Sequence, residues 1–432
     1  MTPINGEEEV VELCRDLIRI DTTNAGDNAG PGEREAAEYV AAKLSEVGLE
    51  PVILESDTRR ASVIARIEGT DPDRDALLLH GHLDVVPFDA ADWRYHPLSG
   101  EIAEGCVWGR GAVDMKDMDA MILAVVRQRL SEGRRPPRDV VLAFTADEEA
   151  GGRYGAQWLV DKHPELFEGC TEAIGEVGGF SVTIDGRERL YLIEAAEKGI
   201  AWMRLSATGR AGHGSMLNDE NAVTEIAEAV ARLGRYEWPV RLTPTVRAFF
   251  AEVFGREVTA EEAESLVASL GPLARMVGAT LRNTVNPTML QAGYKANVIP
   301  QTATAHVDGR FLPGHEEEFF ATVDELLGPN VTREFVYHDI AVESPFEGPL
   351  VQAISDALRA EDPTARAVPY TLSGGTDLKA FSRLGIRGFG FTPLRLPPEL
   401  DFAGMFHGVD ERVPVDSLRF GVRVLDRFLD YS

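Results

Sequence analysis

The segment LLLHGHLDVVP, which runs from Leu77 to Pro87, places two histidines and an aspartate at alternate positions of an apolar stretch. Side chains two residues apart on a β-strand point to the same face, so His80, His82 and Asp84 are expected to share one face of a strand. Buried polar groups are costly unless they are satisfied. The pattern therefore indicates either a hydrogen-bonded structural cluster or a metal site with imidazole and carboxylate ligands.

The bulk properties of the chain exclude some classes of partner. It has 432 residues and a formal net charge of -28, so we do not expect it to bind nucleic acid or an anionic membrane through bulk electrostatics. The N-terminal residues do not resemble a signal peptide, and no apolar stretch approaches membrane-spanning length. The cysteines, Cys14, Cys106 and Cys170, are widely spaced, which argues against a disulfide framework and against a cysteine-based zinc site. A cytoplasmic protein is the expectation.

The region from about residue 7 to residue 186 alternates between helical and strand periodicity. This alternation is typical of an α/β sandwich with a mostly parallel sheet. Open sheets of this kind bind ligands beyond the carboxyl ends of their strands, and the polar residues of interest follow those ends. Helices are predicted in GEREAAEYVAAKLSEVGL, KDMDAMILAVVRQRLSEG and YGAQWLVDKH, and strands in ASVIARIEG, ALLLHGHLDVV, DVVLAFTADEE and EAIGEV.

From about residue 198 the order of elements becomes β-α-β-β-α-β, which predicts a ferredoxin-like unit. Its strands are predicted in KGIAWMRLSATGR, TMLQAGYKANVI, TATAHVDGRFL and VTREFVYHDI, and its helices in NAVTEIAEAVARLGRY and EEEFFATVDELLG. A helical insertion at about 239–287 lengthens the first crossover, and α/β alternation resumes after about residue 341. The predicted architecture is a three-layer α/β catalytic domain, residues 1–197 and 342–432, interrupted by an inserted α+β domain at 198–341.

Five side chains near the predicted strand ends and turns have the chemistry of metal ligands. Zinc accepts histidine nitrogen and carboxylate oxygen, and a hydrolytic site keeps one position open for water. One ion would take His82 and Glu176, a second would take Glu149 and His407, and Asp114 would bridge them. Three carboxylates against two divalent ions leave one positive charge, which a bridging hydroxide would cancel. Such a site would be neutral and reactive.

Each of these residues also has a simpler explanation. Glu148 and Glu149 resemble a solvated surface pair in a chain with 71 acidic residues. Asp114 could favour the positive end of the helix that follows it, and His407 could be a loop histidine. Asp84 could be a buried hydrogen-bonding partner of the neighbouring histidine, although a carboxylate that orients a ligand histidine is also the usual support of a zinc site. The ligand hypothesis therefore depends on all five residues converging.

The order of the motifs HGHLDVVP, GRGAVDMKD, TADEEAGG, GEVGG, GHGS, NVIP, SGGTD and HGVDE resembles a known family. This is the dinuclear-zinc family of aminoacylases, acetylornithine deacetylase, succinyl-diaminopimelate desuccinylase and glutamate carboxypeptidase. The resemblance covers nearly the whole chain. It implies two Zn²⁺, with Co²⁺ or Mn²⁺ as possible substitutes, held by the five ligands above. It also implies a catalytic role for Asp84, Glu148 as the general base, and a non-proline cis peptide bond after Asp114.

The resemblance further implies that the inserted domain is a lid and dimerisation module of a homodimer. His213 in GRAGHGS would reach the active site of the partner subunit and stabilise the oxyanion; otherwise it is an exposed loop histidine. Arg310 would bind an α-carboxylate through paired hydrogen bonds. The glycines of SGGTD could equally form a tight turn. The substrate-binding residues implied are Asn297, Arg310, Gly374, Gly375 and Thr376.

The function expected from these residues is hydrolysis of an amide bond in a small carboxylate-bearing molecule, first of all an N-acyl-amino acid. An exopeptidase of carboxypeptidase or dipeptidase type is the alternative, followed by a dedicated biosynthetic deacylase. The segment FGFTPLRLPPELDFAGMFHGVDERVPVDSL favours the carboxypeptidase S and N-acyl-amino-acid hydrolase branch. Its residues Phe391, Leu394 and Phe402 line either an acyl pocket or the core. A dinuclear phosphoesterase and a non-catalytic metal-binding homologue remain as alternatives of other classes.

Overall fold

The computed structural model of the chain describes residues 3–26, 28–184 and 188–432. None of its helices within these ranges is long and apolar enough to span a bilayer. The helices are α1 (Gly6–Arg19), α2 (Arg34–Ser45), α3 (Lys116–Ser131), α4 (Ala156–Lys162), α5 (Ala222–Arg235), α6 (Pro244–Phe254), α7 (Ala260–Ala268), α8 (Ala274–Gly278), α9 (Glu316–Leu327), α10 (Pro349–Glu361), α11 (Leu378–Ser382) and α12 (Val415–Tyr431). The strands are β1 (Val52–Asp57), β2 (Arg60–Ile67), β3 (Ala76–His82), β4 (Glu101–Ala103), β5 (Cys106–Trp108), β6 (Val140–Thr145), β7 (Cys170–Gly175), β8 (Ser181–Ile184), β9 (Glu188–Glu197), β10 (Gly199–Thr208), β11 (Gly212–His213), β12 (Thr284–Ala292), β13 (Val298–Ile299), β14 (Thr302–Phe311), β15 (Val331–Asp339), β16 (Val342–Glu343), β17 (Arg366–Leu372), β18 (Arg387–Gly390) and β19 (Arg412–Pro414).

The chain divides into two compact units. The first runs to Ala195 and also contains Ser344–Tyr370 and Thr376–Ser432. The second consists of Ala196–Glu343 and Thr371–Gly375. The short loop at 371–375, which the sequence assigns to the catalytic domain, therefore groups with the second unit.

The sheet of the first unit has the strand order β1-β2-β6-β3-β7-β18-β9. Its four central strands, from β6 to β18, are parallel, whereas the outer pairs are antiparallel. Every residue of β3 and β6 is buried, because parallel strands covered on both faces are continuous apolar stretches rather than alternating ones. The predicted α/β fold with a mostly parallel central sheet is confirmed, and antiparallel strands lie at both of its edges.

Helices cover both faces of β3, which makes the first unit a three-layer structure. On one face His80 packs against the Phe381 ring of α11, with ring centroids 5.2 Å apart. On the other face Gly81 lies so close to Asp119 of α3 that an added Cβ would be 2.2 Å from a carboxylate oxygen. Helices α1, α3 and α12 contact one another. Close packing on both sides fixes the position of the strand end that carries His82.

The second unit contains a four-stranded sheet with the order β12-β14-β10-β15, and all three strand pairs are antiparallel. In chain order this arrangement is 2-3-1-4, the order of a ferredoxin-like unit, so the predicted β-α-β-β-α-β topology is confirmed. Residues of β10 alternate between buried and more accessible positions, because one face of the sheet packs against α5 and α9. The core includes Leu205, Ile226, Val307 and Phe319.

Two details of the predicted second domain are wrong. The strand predicted over TMLQAGYKANVI is interrupted: β12 ends at Ala292, and Gly293 adopts a φ of 69°, a left-handed conformation that turns the chain. The remaining residues form the short β13, which pairs with β11. The helical insertion comprises α6, α7 and α8 and ends before β12 begins at Thr284, earlier than the predicted boundary at 287.

Candidate metal centre

Three elements of the parallel sheet end beside one another and carry the polar residues of the site. His82 is the last residue of β3, Glu176 directly follows β7, and the turn that contains Glu148 and Glu149 follows β6. Because β6, β3 and β7 are adjacent parallel strands, their carboxyl ends meet at the same edge of the sheet. The predicted strands over ALLLHGHLDVV and DVVLAFTADEE are shorter in the structure, which leaves Asp84, Glu148 and Glu149 in turns beyond the sheet.

The first group of potential ligands consists of His82, Asp114 and Glu176, all of them buried. The Nε2 atom of His82 lies 3.1 Å from Asp114 Oδ1 and 3.4 Å from Glu176 Oε2. Ligand atoms of the three side chains lie within 4.8 Å of one another. Glu148 borders this group, with its Oε2 atom 3.9 Å from His82 Nε2.

The second group consists of Asp114, Glu149 and His407. The Nε2 atom of His407 lies 3.0 Å from Glu149 Oε2 and 3.4 Å from Asp114 Oδ2. Asp114 thus presents one carboxylate oxygen to each group. Its peptide bond to Met115 is cis, as the resemblance predicts. The five side chains named as ligands from the sequence therefore lie together in two groups that share Asp114.

Asp84 holds the backbone of residues in and beside both ligand groups. Its Oδ1 atom accepts the backbone N–H of Glu148 at 3.0 Å, and its Oδ2 atom accepts the backbone N–H of Glu149 at 3.1 Å. The same carboxylate lies 3.6 Å from Nδ1 of His82, and that nitrogen is 3.0 Å from the Asp84 carbonyl oxygen. One buried aspartate therefore orients the histidine through its backbone carbonyl and fixes the turn of both glutamates through its carboxylate.

Asn24 is a residue of this network that the sequence does not identify. Its Nδ2 group donates to Asp84 Oδ2 at 2.9 Å and to Asp147 Oδ1 at 3.0 Å, and its Oδ1 atom accepts from Arg60 at 3.1 Å. Arg60 in turn pairs with the buried Glu33. A lone asparagine after a helix carries no sequence signal for such a role, because its partners are 60 and 123 residues away.

Glu411 is a second residue that sequence reasoning missed, although it stands in the quoted motif HGVDE. Its carboxylate accepts the N–H of Gly111 at 2.6 Å and pairs with Arg110 at 2.6 Å. Its carbonyl oxygen accepts the N–H of Gly109 at 3.0 Å. These bonds hold the loop of His407 against the turn that leads to Asp114. The motif itself is the signal that could have identified it.

His80 does not belong to either ligand group. Burial lowers its pKa to about 3, so the ring is neutral, and it packs on Phe381. An added Cβ at Gly175 would lie 2.0 Å from His80 Nε2, so the ring fills the space beside β7. The alternating pattern of the opening motif therefore contains one packing histidine and one histidine of the polar site.

Buried carboxylates outnumber the positive groups in this site. Burial raises the pKa of Glu148 well above its ordinary range, and the negative charge of Glu176 adds to the effect. Burial also raises the pKa of Glu176 to about 8. Hydrogen bonds to Asp114 and Glu149 raise the pKa of His407 to about 10. Carboxylates that lie close together out of water repel one another when they are ionised. Each therefore either keeps its proton or requires a nearby cation.

The residues fit divalent metal ions. Oε1 of Glu149 and Oε1 of Glu176 are buried and have no hydrogen-bond partner in the described part of the chain. Buried polar atoms are normally satisfied, and an ion is one explanation of such exceptions. Two histidine nitrogens together with carboxylate oxygens form a donor set that suits zinc and related divalent ions.

Of the residues assigned to the lid and to substrate, all except Thr376 belong to the second unit. His213 is exposed at the end of β11 and pairs with Val298, and its Nδ1 atom is 2.9 Å from Ser215 Oγ. Asn297 is close by, since its carbonyl oxygen accepts the N–H of Gly214 at 2.9 Å. Within this unit the structure therefore brings His213 and Asn297 together.

The other residues assigned to substrate binding are Arg310, Gly374, Gly375 and Thr376. The Arg310 guanidinium already donates to both oxygens of Asp308, at 2.7 and 3.1 Å. A Cβ on Gly374 would make ordinary contact at 3.7 Å with Leu372, so steric crowding does not require glycine there. Gly375 is the last residue of the second unit. Thr376 accepts the N–H of Leu378 at 3.1 Å at the start of α11.

The α/β sheet gathers histidines and carboxylates beyond its strand ends, and these are the donor groups that metal-dependent hydrolases use. A family model described as peptidase family M20/M25/M40 matches residues 78–431, and the chain belongs to this family. Members of a peptidase family hydrolyse amide bonds, so amide hydrolysis is the reaction class of the chain.

Relatives of the chain cover most of its length. It is 27% identical over 432 residues to aminoacylase-1 of Sus scrofa, a match that covers 98% of this chain and 95% of the relative. It is also 27% identical over 392 residues to a probable carboxypeptidase S-like 2 of Dictyostelium discoideum, covering 83% and 72% of the two chains. The fold is similar to the M20 family metallo-carboxypeptidase Sso-CP2 from Sulfolobus solfataricus, with a TM-score of 0.73, 20% identity and coverage of 98% and 99%.

Proposed function

We propose that the chain hydrolyses the amide bond of N-acyl-amino acids and depends on two divalent metal ions, zinc in the first instance. The observation that carries the proposal is the pair of ligand groups that share Asp114. The similarity to an aminoacylase over nearly the full length supports this choice of substrate. Cobalt and manganese accept the same ligand types and are expected to substitute.

The ligands proposed for one ion are His82, Asp114 and Glu176, and those for the other are Asp114, Glu149 and His407. When bound, the ions supply positive charge that polarises the scissile carbonyl and makes a water molecule acidic enough to attack at neutral pH. This charge also relieves the crowding of buried carboxylates described above.

Glu148 is proposed as the general base. Its neighbour Glu149 faces His407, whereas the carboxylate of Glu148 borders His82 without a hydrogen bond to it, 3.9 Å from Nε2. The Glu148 carboxylate accepts a proton from the attacking water at an oxygen and then delivers it to the leaving nitrogen. Asp84 assists by holding the backbone N–H of Glu148, which fixes where that carboxylate points.

The second unit is proposed to act as a lid and as the dimer contact of a homodimer. His213 would stabilise the negative oxygen of the tetrahedral state in the partner subunit. Asn297, Arg310 and the loop at 374–376 would hold the substrate, with the N–H groups of Arg310 directed to its carboxylate. His213 is exposed and therefore available for this role.

The central experiment measures hydrolysis of N-acetyl-amino acids, long-chain N-acyl-amino acids and dipeptides by protein loaded with zinc or with cobalt. Glu148→Gln should keep both metal ions and lose about 10²- to 10⁴-fold in kcat, the usual effect of a missing general base. Glu149→Gln should retain only one tightly bound ion. Glu68→Gln is the matched control, because Glu68 is 79% exposed and lies outside the site.

Several outcomes would contradict the proposal. Near-normal turnover by Glu148→Gln would remove the general base from the mechanism. Protein that binds two ions and cleaves no member of the panel would be a non-catalytic homologue. Faster hydrolysis of a phosphate ester than of any amide would identify a phosphoesterase.

An exopeptidase is the second candidate, because the carboxypeptidase S-like relative is as similar in sequence as the aminoacylase. Higher kcat/KM for dipeptides than for N-acyl-amino acids in the same panel would favour it. The general base and the metal ligands would keep their roles in either case.

The cross-subunit role of His213 has a separate test. His213→Ala and Glu148→Ala should each abolish activity, and mixing the two variants should restore part of it, since one site of a mixed dimer then has both residues intact. A monomeric mass in solution, or no recovery in the mixture, would refute the role. The cytoplasm is the proposed compartment, in keeping with the three free cysteines.

A further inference from the structure

A small apolar cavity lies beside the proposed metal ligands within the first unit. The proposed ligands Asp114, Glu176 and His407 are each adjacent in sequence to a residue of its wall. Glu176 itself borders the cavity. We call this cavity the apolar slot. Its main wall residues are Val113, Met115, Val177, Phe180, Leu394 and Phe406, and the Phe402 ring contacts the rings of both Phe180 and Phe406.

The walls of the apolar slot select for uncharged groups. Phe180, Leu394 and Phe402 are at most 5% exposed. The Phe402 ring lies 5.1 Å from Phe180 and 5.5 Å from Phe406, measured between ring centroids. Phe406 is only partly buried. A charged group that entered would lose its hydration and gain few polar partners, because Glu176 and Thr392 are the polar side chains among the described lining residues.

The apolar slot is also small. Its free volume is about 10 Å³, which is close to the minimum that one water molecule requires. A methyl group is of similar size and needs no hydrogen bonds. A longer chain would have to displace buried aromatic rings, and closely packed interiors resist such displacement.

Val177 narrows the wall of the apolar slot in a backbone conformation that is unfavourable for its side chain. Val177 has a φ of 55°, a region that β-branched residues rarely adopt and that glycine adopts readily. The Tyr370 hydroxyl donates a hydrogen bond to its carbonyl oxygen, which helps to hold this geometry. The isopropyl group therefore narrows the cavity at a position where glycine would suit the backbone better.

We propose that the apolar slot binds one small uncharged group, of about methyl size, attached next to the scissile amide, and that it limits the length of that group. This inference rests on the proposed function. The group is either the end of the acyl chain or the side chain of the amino acid. Both are aliphatic, and the experiment distinguishes them by varying one while the other is constant.

Two substrate series test the proposal. The first varies the acyl group from formyl to pentanoyl on one amino acid, and the second varies the side chain from glycine to norvaline under a fixed acetyl group, with aspartate as a charged member. In one series kcat/KM should peak at the methyl-sized member and fall about tenfold or more for each added methylene. The other series should be nearly flat.

Val177→Gly is the decisive variant, because glycine suits a φ of 55° and the variant should fold. It should move the peak of the responsive series to a group one or two carbons longer. Phe406→Ala should have a similar effect, because it removes an aromatic ring from the wall. Glu104→Gly is the matched control: Glu104 has a φ of 53° and is exposed outside the cavity, so it should leave the profile unchanged.

A binding measurement separates failure of this inference from failure of the proposed function. Calorimetry with metal-loaded protein would measure the affinity of the product series, formate to pentanoate and glycine to norvaline with aspartate as the charged member, whether or not any amide is cleaved. A maximum at the methyl-sized member that moves in Val177→Gly supports the apolar slot. Flat profiles in both series, unchanged profiles in both variants, or strongest binding of the charged member would overturn it.

Discussion

Replacing Asn24 by alanine should loosen the turn that carries Glu148 and Glu149, although its side chain forms hydrogen bonds with Asp84, Asp147 and Arg60. Asn24 is 3% exposed, and its amide donates to two carboxylates, those of Asp84 and Asp147. Hydrogen bonds to charged groups each contribute about 1.5–3 kcal/mol. Both carboxylates keep backbone donors, so each loss should fall at the lower end of that range. We therefore expect the free energy of unfolding to decrease by about 2–4 kcal/mol.

Urea unfolding of the metal-free protein measures this change, and metal content after dialysis measures its effect on the site. The variant should retain less metal than the wild type, because Asp84 fixes the N–H groups of both glutamates. Asn28→Gly is the matched control. Asn28 also binds Arg60, at 2.8 Å, and donates to a carboxylate, that of Asp57, at 2.9 Å, but it is exposed and has a φ of 57° that glycine tolerates. Its cost should be below about 1 kcal/mol.

The reasoning would be refuted by an Asn24→Ala variant that unfolds within 0.5 kcal/mol of the wild type, a threshold of about the usual scatter for surface substitutions. It would also be refuted by equal losses in the two variants, since the burial and charge of the partners would then have no effect. Lower stability together with unchanged metal retention would show that Asn24 supports the fold but does not position the ligands.

Three further predictions concern the first unit. Burial opposes ionisation of Asp362, but hydrogen bonds from Arg189, Thr364 and Tyr191 outweigh it and lower its pKa to about 2. The resulting stabilisation of the fold is present above the unfolded-state pKa of about 3.9 and is lost as the pH falls towards 2. In urea unfolding, Asp362→Asn should therefore cost about 2 kcal/mol at pH 6 and almost nothing near pH 2, with Asp356→Asn as the control. Gly155→Ala should strongly destabilise the turn of Glu148 and reduce metal retention, because the added Cβ would lie 1.7 Å from the Ala146 carbonyl oxygen. The control is Gly234→Ala within α5, where the nearest neighbour of an added Cβ is 3.7 Å away. In thermal unfolding this control should be neutral or slightly stabilising. Removal of bound metal by a chelator should lower the midpoint of thermal unfolding. Added zinc should then raise the midpoint again in proportion to the logarithm of the zinc concentration. A midpoint that responds to neither chelator nor zinc would contradict a metal site in the folded state.

The ligand positions could be predicted because each stands at a point where the sequence pattern changes. His82 ends an apolar stretch, Glu176 follows another, and Asp114 precedes a helix. Such changes of periodicity mark strand ends and turns, and the sheet architecture then places them at one edge. The family resemblance supplied what periodicity could not, namely that His407, more than 200 residues later, joins the same place.

The supporting residues could not be predicted in the same way. Asn24 and Glu411 act through backbone N–H groups and carboxylates that are distant in sequence, and no local periodicity encodes such contacts. Edge strands were missed for a related reason: β1 is partly exposed throughout, so its residues lack the continuous apolar character of β3. The break after Ala292 required knowledge that Gly293 adopts a left-handed φ, which the sequence permits but does not dictate.

The apolar slot and the candidate metal centre share backbone segments, so a substitution in the slot is expected to affect both specificity and turnover. Met115 and Val177 each follow a proposed ligand directly, and Phe406 precedes one. A substitution that widens the slot therefore also shifts a neighbouring ligand by a small amount, and such shifts lower turnover for every substrate. Absolute rates of Val177→Gly would mix the two effects. The ratio of kcat/KM between members of one series cancels the shared loss, so a change in that ratio reports the slot alone.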